Sequence, residues 1–197
     1  MITVLLRGGA VVDDPLAQAL GFLDAYGAPR DDSMPGSFGE LDLREANRGG
    51  ARIAAAEIAA ILERRAEIER ALGAIPAKAS LAGRISSVPW PELTRLFEAF
   101  GGIRGVGFSK ITKALHPKRP ALIPMLDSVV QRYLTADGPG APAVSFGERA
   151  TGLVRTYKDD LDRNRVALRE LKGELASRGY RLTEVRILDL LIWSASG

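Results

Sequence analysis

The sequence predicts a mainly α-helical fold in a single domain covering residues 1–197. Apolar residues recur every three or four positions over most of the chain, which is the period of a helix, and only residues 2–12 alternate loosely as a strand does. A chain of 197 residues with 46% apolar residues can also bury one sizeable core. We therefore expect seven or eight helices, one helix-hairpin-helix motif, and a short N-terminal strand or β-hairpin.

The first 39 residues are predicted to form an N-terminal appendage followed by a loop. A helix is predicted near Pro15–Tyr26, after the alternating residues 2–12. Residues 27–39 are rich in Gly, Pro, Asp and Ser, which is typical of a loop.

The middle of the chain predicts two amphipathic helices. Residues 51–72 place apolar side chains on one helical face, with Arg65 as the only interruption: Ala54, Ile58, Ile61, Ile68 and Leu72. Residues 76–89 form a connector, and Pro91 suits the first turn of the next helix. Apolar residues then follow at helical spacing up to Phe100.

The last third predicts two further helices after a loop over residues 135–145. Between positions 154 and 175 apolar residues repeat every three or four positions, with Asn164 as the only polar interruption. Gly179 is placed to end this helix. Thr183 can cap a last helix that continues to about Trp193 and that is apolar nearly all round, so we expect it to be buried.

Composition excludes several kinds of chemistry. The chain has no cysteine, which excludes disulfides, thiol nucleophiles and thiolate metal sites, and its single histidine, His116, excludes a His-rich metal site. We therefore expect no metal and no cofactor. The N-terminus has only about five apolar residues in a row, too few for a signal peptide or a membrane span. We expect a cytoplasmic protein without a membrane partner, with a monomer favoured.

Residues 91–134 contain the pattern that points to function. A helix ending near Phe100 meets Gly105-Val106-Gly107, and a second helix is predicted over Phe108–Leu115. The glycines permit a tight turn and a close approach of the backbone to a ligand. The amide groups that open the second helix attract phosphate. A Gly-x-Gly turn alone is common, so the surrounding charge decides how it is interpreted.

That charge is strongly basic. Residues 101–126 hold five cationic residues and no acidic residue: Arg104, Lys110, Lys113, Lys118 and Arg119. The segment therefore carries +5, the whole chain carries +3, and the remaining residues sum to −2. Such a distribution favours binding of a nucleic-acid backbone at the hairpin, although a run of Lys and Arg also occurs on ordinary solvated surfaces.

Three polar residues near the hairpin have alternative interpretations. Asp127 is the first acidic residue after the basic segment and precedes a helix, so it is either a catalytic carboxylate or a helix N-cap. Asp189, in the apolar last helix, is either a second functional carboxylate or the partner of an arginine such as Arg186 or Arg132. His116 follows the second hairpin helix and either contacts a phosphate or, as we expect, is a C-terminal cap or a solvated side chain.

The segment 101–134 resembles the helix-hairpin-helix DNA glycosylase superfamily, with its MutY-like and endonuclease III-like enzymes. In that superfamily the catalytic aspartate follows the second hairpin glycine by twenty residues, which is the spacing from Gly107 to Asp127. Bifunctional members carry a lysine two residues after that glycine. This position is Ser109 here, as in monofunctional members that use water alone. More of the chain looks like an uncharacterised bacterial family of unknown function, chiefly residues 116–124, 127–130 and 186–189 with Trp193.

The glycosylase resemblance implies a monofunctional enzyme that cleaves the N-glycosidic bond of a damaged or modified base in duplex DNA. Asp127 would stabilise the oxocarbenium-like transition state and activate water, and Ser109 would be the second catalytic residue. The hairpin residues 104–107, with the lysines and Arg119, would hold the DNA backbone around a flipped base. We expect nucleoid association. The alternatives are a non-catalytic helix-hairpin-helix module that binds DNA, and a protein-interaction scaffold.

Overall fold

The N-terminal segment forms a small antiparallel sheet. A computed structural model describes residues 2–27, 34–135 and 145–196. Strand β1 (Val4–Leu5) pairs with β2 (Val11–Val12), and Gly8 and Gly9 turn the chain between them with φ angles of 75° and 83°. The predicted short N-terminal β-hairpin is confirmed.

Ten α-helices follow within the described ranges, which confirms the mainly α-helical prediction. They are α1 (Pro15–Tyr26), α2 (Glu40–Arg48), α3 (Ala55–Glu63), α4 (Arg65–Gly73), α5 (Trp90–Glu98), α6 (Phe108–Leu115), α7 (Ser128–Leu134), α8 (Phe146–Arg163), α9 (Arg165–Ser177) and α10 (Glu184–Ser194). None of these helices is long and apolar enough to cross a membrane. Residues 28–33 and 136–144 of the two predicted loops lie outside the described residues.

The helices outnumber the seven or eight predicted, in part because two predicted continuous helices are each broken. The 51–72 segment breaks at Arg64, whose φ and ψ are −97° and 10°, and its guanidinium donates to the carbonyls of Ala99 and Gly101 beyond α5. The 154–175 segment breaks at Asn164, whose side-chain amide exchanges two hydrogen bonds with the backbone of Leu5 in β1. At each break a polar side chain forms hydrogen bonds with the backbone of a segment that is distant in sequence.

The core is centred on α5 and α8, which cross at close range. A Cβ on Gly147 would lie 2.4 Å from the carbonyl oxygen of Thr94, so the crossing requires glycine at that position. The hydroxyls of Thr94 and Thr151 lie 2.9 Å apart across the same contact. Both helices contribute buried apolar side chains to the core: Leu93, Leu96, Phe97, Val154, Tyr157 and Leu161.

Lysine 158 joins this core to the connector before α5. The residue is 1% exposed, and its ammonium group donates to the carbonyls of Leu81 and Gly83 and to the carboxylate of Asp162. A buried charge is tolerated only when each of its donors finds an acceptor, which this arrangement provides. The connector is thereby fixed across one face of α8, and α5 is held in the position from which the hairpin begins.

Candidate functional site

The predicted hairpin turn lies between α5 and α6, and its apolar side chains anchor it to the core. Ile103 and Val106 are buried, whereas Arg104, Gly105 and Gly107 are exposed. Gly105 has a φ of 81°, a conformation that glycine adopts without strain. Helix α5 ends two residues earlier than predicted, and α6 has the predicted bounds. The chain therefore has the predicted order of helix, glycine-containing turn and helix in this segment.

The N-terminus of α6 has no side-chain cap. Its N-cap is the exposed Gly107, and its first turn contains no acidic residue. Helices α3, α4, α5 and α9 also lack a side-chain cap, whereas the Ser145 hydroxyl accepts from the Glu148 amide at the start of α8. Unpaired amides and the positive end of the helix dipole make the start of α6 favourable for an anion. The Val106 amide does not contribute, because it donates to the Ile103 carbonyl.

Lysine 110 is paired inside the protein. Its ammonium nitrogen lies 2.7 and 2.6 Å from the two carboxylate oxygens of Glu57 and 2.9 Å from the carbonyl oxygen of Gly105. Both side chains are largely buried, with 22% of Lys110 and 15% of Glu57 exposed. The hydrogen bond from Lys110 is the main cause that holds the pKa of Glu57 below its usual range. The charge of Lys110 is therefore neutralised in this structure.

The other two cations near the turn differ from each other. Lys113 donates to the carbonyl of Gly49, the residue after α2, and is half-buried. Arg104 is exposed, and its guanidinium has no partner among the described residues. Arg104 is thus the predicted backbone-binding cation that is available at the turn without breaking an internal contact.

Lys118 and Arg119 lie in the interior, away from any surface that DNA could touch. Lys118 donates to the carboxylate of Asp42 and to the Met34 carbonyl, and each cation is 4% exposed. The Arg119 guanidinium makes four hydrogen bonds to backbone carbonyls: those of Pro35, Leu72, Ile75 and Lys118. Arg119 therefore caps the carboxyl end of α4, and we leave both residues out of the candidate interface.

Asp127 is the N-cap of α7, and both of its carboxylate oxygens accept hydrogen bonds. Its Oδ1 accepts from the amides of Val129 and Val130 at 3.0 Å, and its Oδ2 accepts from the indole N–H of Trp193 at 2.8 Å. The residue is 6% exposed. Two depressions in the described surface lie elsewhere, one beside Leu168 on α9 and one beside Ile58 on α3, and Asp127 lines neither.

Asp189 is buried next to this N-cap and is held by Tyr157 and the Met125 amide. The Tyr157 hydroxyl lies 2.6 Å from the Val185 carbonyl and 3.0 Å from the Asp189 carboxyl. Burial raises the pKa of Asp189 to about 7, although the charge of Arg186 and the hydrogen bonds that the Met125 amide and the Tyr157 hydroxyl donate to the carboxylate act in the opposite direction.

His116 occupies the C-cap position of α6, one of the expected alternatives, and it is buried rather than solvated. Its Nδ1 donates to the Ile123 carbonyl at 2.6 Å, and the ring is 3% exposed. Burial lowers the pKa of His116 to about 4, and the charge of Arg186 acts in the same direction. The imidazole is therefore neutral near pH 7 and contributes to the packing behind the Asp127 segment.

Sequence reasoning missed the side chains that fix these groups from distant helices, namely Glu57, Tyr157 and Trp193. No local signal marks them, because their partners lie 53, 32 and 66 residues away.

Ser109 is half-buried, and its hydroxyl has no hydrogen-bond partner in the described part of the chain. Across these same residues no group of three or more His, Cys, Asp or Glu side chains could hold a metal ion.

We expect Arg119→Met to lower the free energy of unfolding by about 3 kcal/mol, because it leaves buried carbonyls at the end of α4 without donors. Arg178→Met is the matched control. Arg178 is exposed at the end of α9, and its loss should cost about 0.5 kcal/mol or less. Urea denaturation followed by circular dichroism measures both. A small loss for Arg119→Met, equal to that of the control, contradicts this structural role.

We expect Asp189 and His116 to oppose each other in the pH dependence of stability. The raised pKa of Asp189 makes the fold less stable as pH rises from about 4 to about 7, whereas the lowered pKa of His116 makes it less stable as pH falls from 6.5 to about 4. When the pH is lowered from 6.5 to 5, the unfolding free energy of Asp189→Asn should fall by about 2 kcal/mol, because only the effect of His116 remains. Over the same pH change the unfolding free energy of His116→Asn should rise by about 2 kcal/mol, because only the effect of Asp189 remains. Urea denaturation at several pH values measures the slopes. Parallel slopes in the two variants would contradict the assignment.

Comparison with known proteins leads to a family without an assigned activity. No curated protein and no solved structure matches the chain. The match that is found is to a family of unknown function rather than to the helix-hairpin-helix glycosylases, so the predicted membership of that superfamily is wrong. The match extends over residues 24–196 and includes the hairpin, Asp127 and Asp189. The chain belongs to the family of unknown function DUF6308.

Proposed function

We propose that this protein binds the phosphate backbone of DNA through the turn between α5 and α6, without carrying out a reaction on the DNA. The observation that carries the proposal is the uncapped N-terminus of α6, which opens at the exposed Gly107 next to the unpaired Arg104. A phosphate there would accept from the first amides of α6 and from the Arg104 guanidinium. The proposal includes association with the nucleoid in the cell.

The same geometry limits the strength and the kind of binding. Lys110 and Lys118 are paired with carboxylates and Arg119 is buried, so few charges are left to replace counterions on DNA. Contacts from amides and one arginine to phosphate do not distinguish bases. We therefore expect weak binding that is independent of sequence and has a shallow dependence on salt.

Arg104→Ala should weaken binding to a 20-base-pair duplex by about fivefold at low salt and reduce the slope of log K against log salt by about 1, because one phosphate contact is lost. Arg169→Ala removes the same charge from the exposed face of α9, which packs against α1, α8 and α10, and should change neither quantity. Fluorescence anisotropy of a labelled duplex measures both. No binding by the unaltered protein at low salt would refute the proposed function.

A second candidate function is hydrolysis of an N-glycosidic bond by Asp127. One observation favours it: burial raises the pKa of Asp189 to about 7, and Asp189 lies close enough to Asp127 for the charge of Asp127 to act in the same direction. Pairs of neighbouring carboxyl groups are a common arrangement for acid and base catalysis. This function requires Asp127 to give up at least one of its three hydrogen bonds in order to reach a sugar or a water molecule.

If Asp127 acts as a catalyst, Asp127→Asn abolishes cleavage while the variant keeps binding DNA. The assay uses duplexes that carry uracil, oxidised, alkylated or mispaired bases, and alkali reveals abasic sites. Asp14→Asn is the control for the loss of an N-cap carboxylate, since Asp14 accepts from the Ala17 amide at the start of α1. It should retain full activity. Absence of cleavage on every duplex, or unchanged cleavage by Asp127→Asn, rejects the hydrolytic function and leaves the binding proposal standing.

A further inference from the structure

The carboxylate of Glu57 lies directly against the hairpin turn. A Cβ added to Gly105 would lie 2.2 Å from Oε1 of Glu57, so only glycine allows the carboxylate to approach the turn backbone this closely. Glu57 is in the first turn of α3, and its other oxygen accepts from the Ala54 amide at 2.8 Å. The acid is thus fixed at both oxygens beside the turn that opens α6.

The same carboxylate uses most of the hydrogen-bonding capacity of Lys110. An ammonium group has three donors, and the Lys110 nitrogen is surrounded by three acceptors: the two oxygens of Glu57 and the carbonyl of Gly105. A phosphate that approaches the start of α6 therefore finds Lys110 already engaged. Glu57 also places a negative charge beside the turn, which repels the phosphate.

We propose that Glu57 is an autoinhibitory anion of the hairpin, which a DNA phosphate must displace from Lys110 in order to bind fully. This inference rests on the proposed function, since it describes how the same turn is regulated. On displacement the Glu57 side chain turns toward solvent, and Lys110 moves its donors from the carboxylate to the phosphate. Arg104 supports the first contact, because it is available before the exchange.

Glu57→Gln tests the inference, because the amide keeps the size of the side chain and an oxygen for the Ala54 amide but removes the charge that holds Lys110. We expect it to bind a labelled 20-base-pair duplex about tenfold more tightly than the unaltered protein at low salt, with a salt slope steeper by about 1. Glu63→Gln removes the same charge from an exposed position on α3 and should change affinity less than about twofold.

Three further measurements make the test decisive. In the double variant Glu57→Gln, Lys110→Met the gain in affinity should be lost, because the released cation is gone. Glu57→Ala should also bind more tightly than the unaltered protein, so failure of one variant to fold does not end the test. The acetylation rate of Lys110, followed by mass spectrometry without DNA, should rise severalfold in Glu57→Gln.

The outcomes separate the inference from the function on which it rests. Binding by the unaltered protein with an equal or weaker affinity for Glu57→Gln overturns the inference and keeps the proposed function. An equal gain in Glu63→Gln also overturns it, because the effect is then one of net charge. Absence of duplex binding by every variant overturns both.

Discussion

Basic side chains satisfy carbonyl groups at the ends of several short helices, and the arrangement of the helices around the hairpin depends on these contacts. The last carbonyls of a helix lack partners within it, and the helix dipole favours a cation there. Arg119 supplies donors at the end of α4, Arg64 supplies them beyond α5, and Lys113 supplies one after α2. Each contact joins two segments distant in sequence, so it fixes the packing of one helix relative to another.

Because these cations bind groups within the protein, the basic segment 101–126 does not form a correspondingly basic surface. The +5 of residues 101–126 is a property of the sequence, but most of that charge is directed inward, to carbonyls and to the carboxylates of Glu57 and Asp42. Arg104 is the member of the set that is exposed and unpaired in the described structure. The electrostatic contribution to the proposed DNA binding is therefore much smaller than the sequence suggests, and the amides of α6 become the more important part of the proposed site.

The parts of the fold that local sequence determines were predictable. Helix α6 has its predicted bounds because Gly107 and the apolar spacing that follows it are local signals. The breaks at Arg64 and Asn164 were missed because they depend on carbonyls and amides 35 or more residues away, which periodicity does not report. The candidate site shows the same limit. Lys110 was visible in the sequence, but its partner Glu57 lies on another helix, and only the fold brings the two together.

The hydrogen bonds of Asp127 also rank the two candidate functions by the energy that each would require. Asp127 accepts from two backbone amides and an indole, and hydrogen bonds to a charged group contribute roughly 1.5–3 kcal/mol each. Catalysis by Asp127 must therefore begin with a rearrangement that uncaps α7. Binding at the turn needs no such step, because Arg104 and the start of α6 are already available, and only the exchange at Lys110 requires a side chain to move. The proposed binding therefore requires less rearrangement of this structure than the proposed catalysis does.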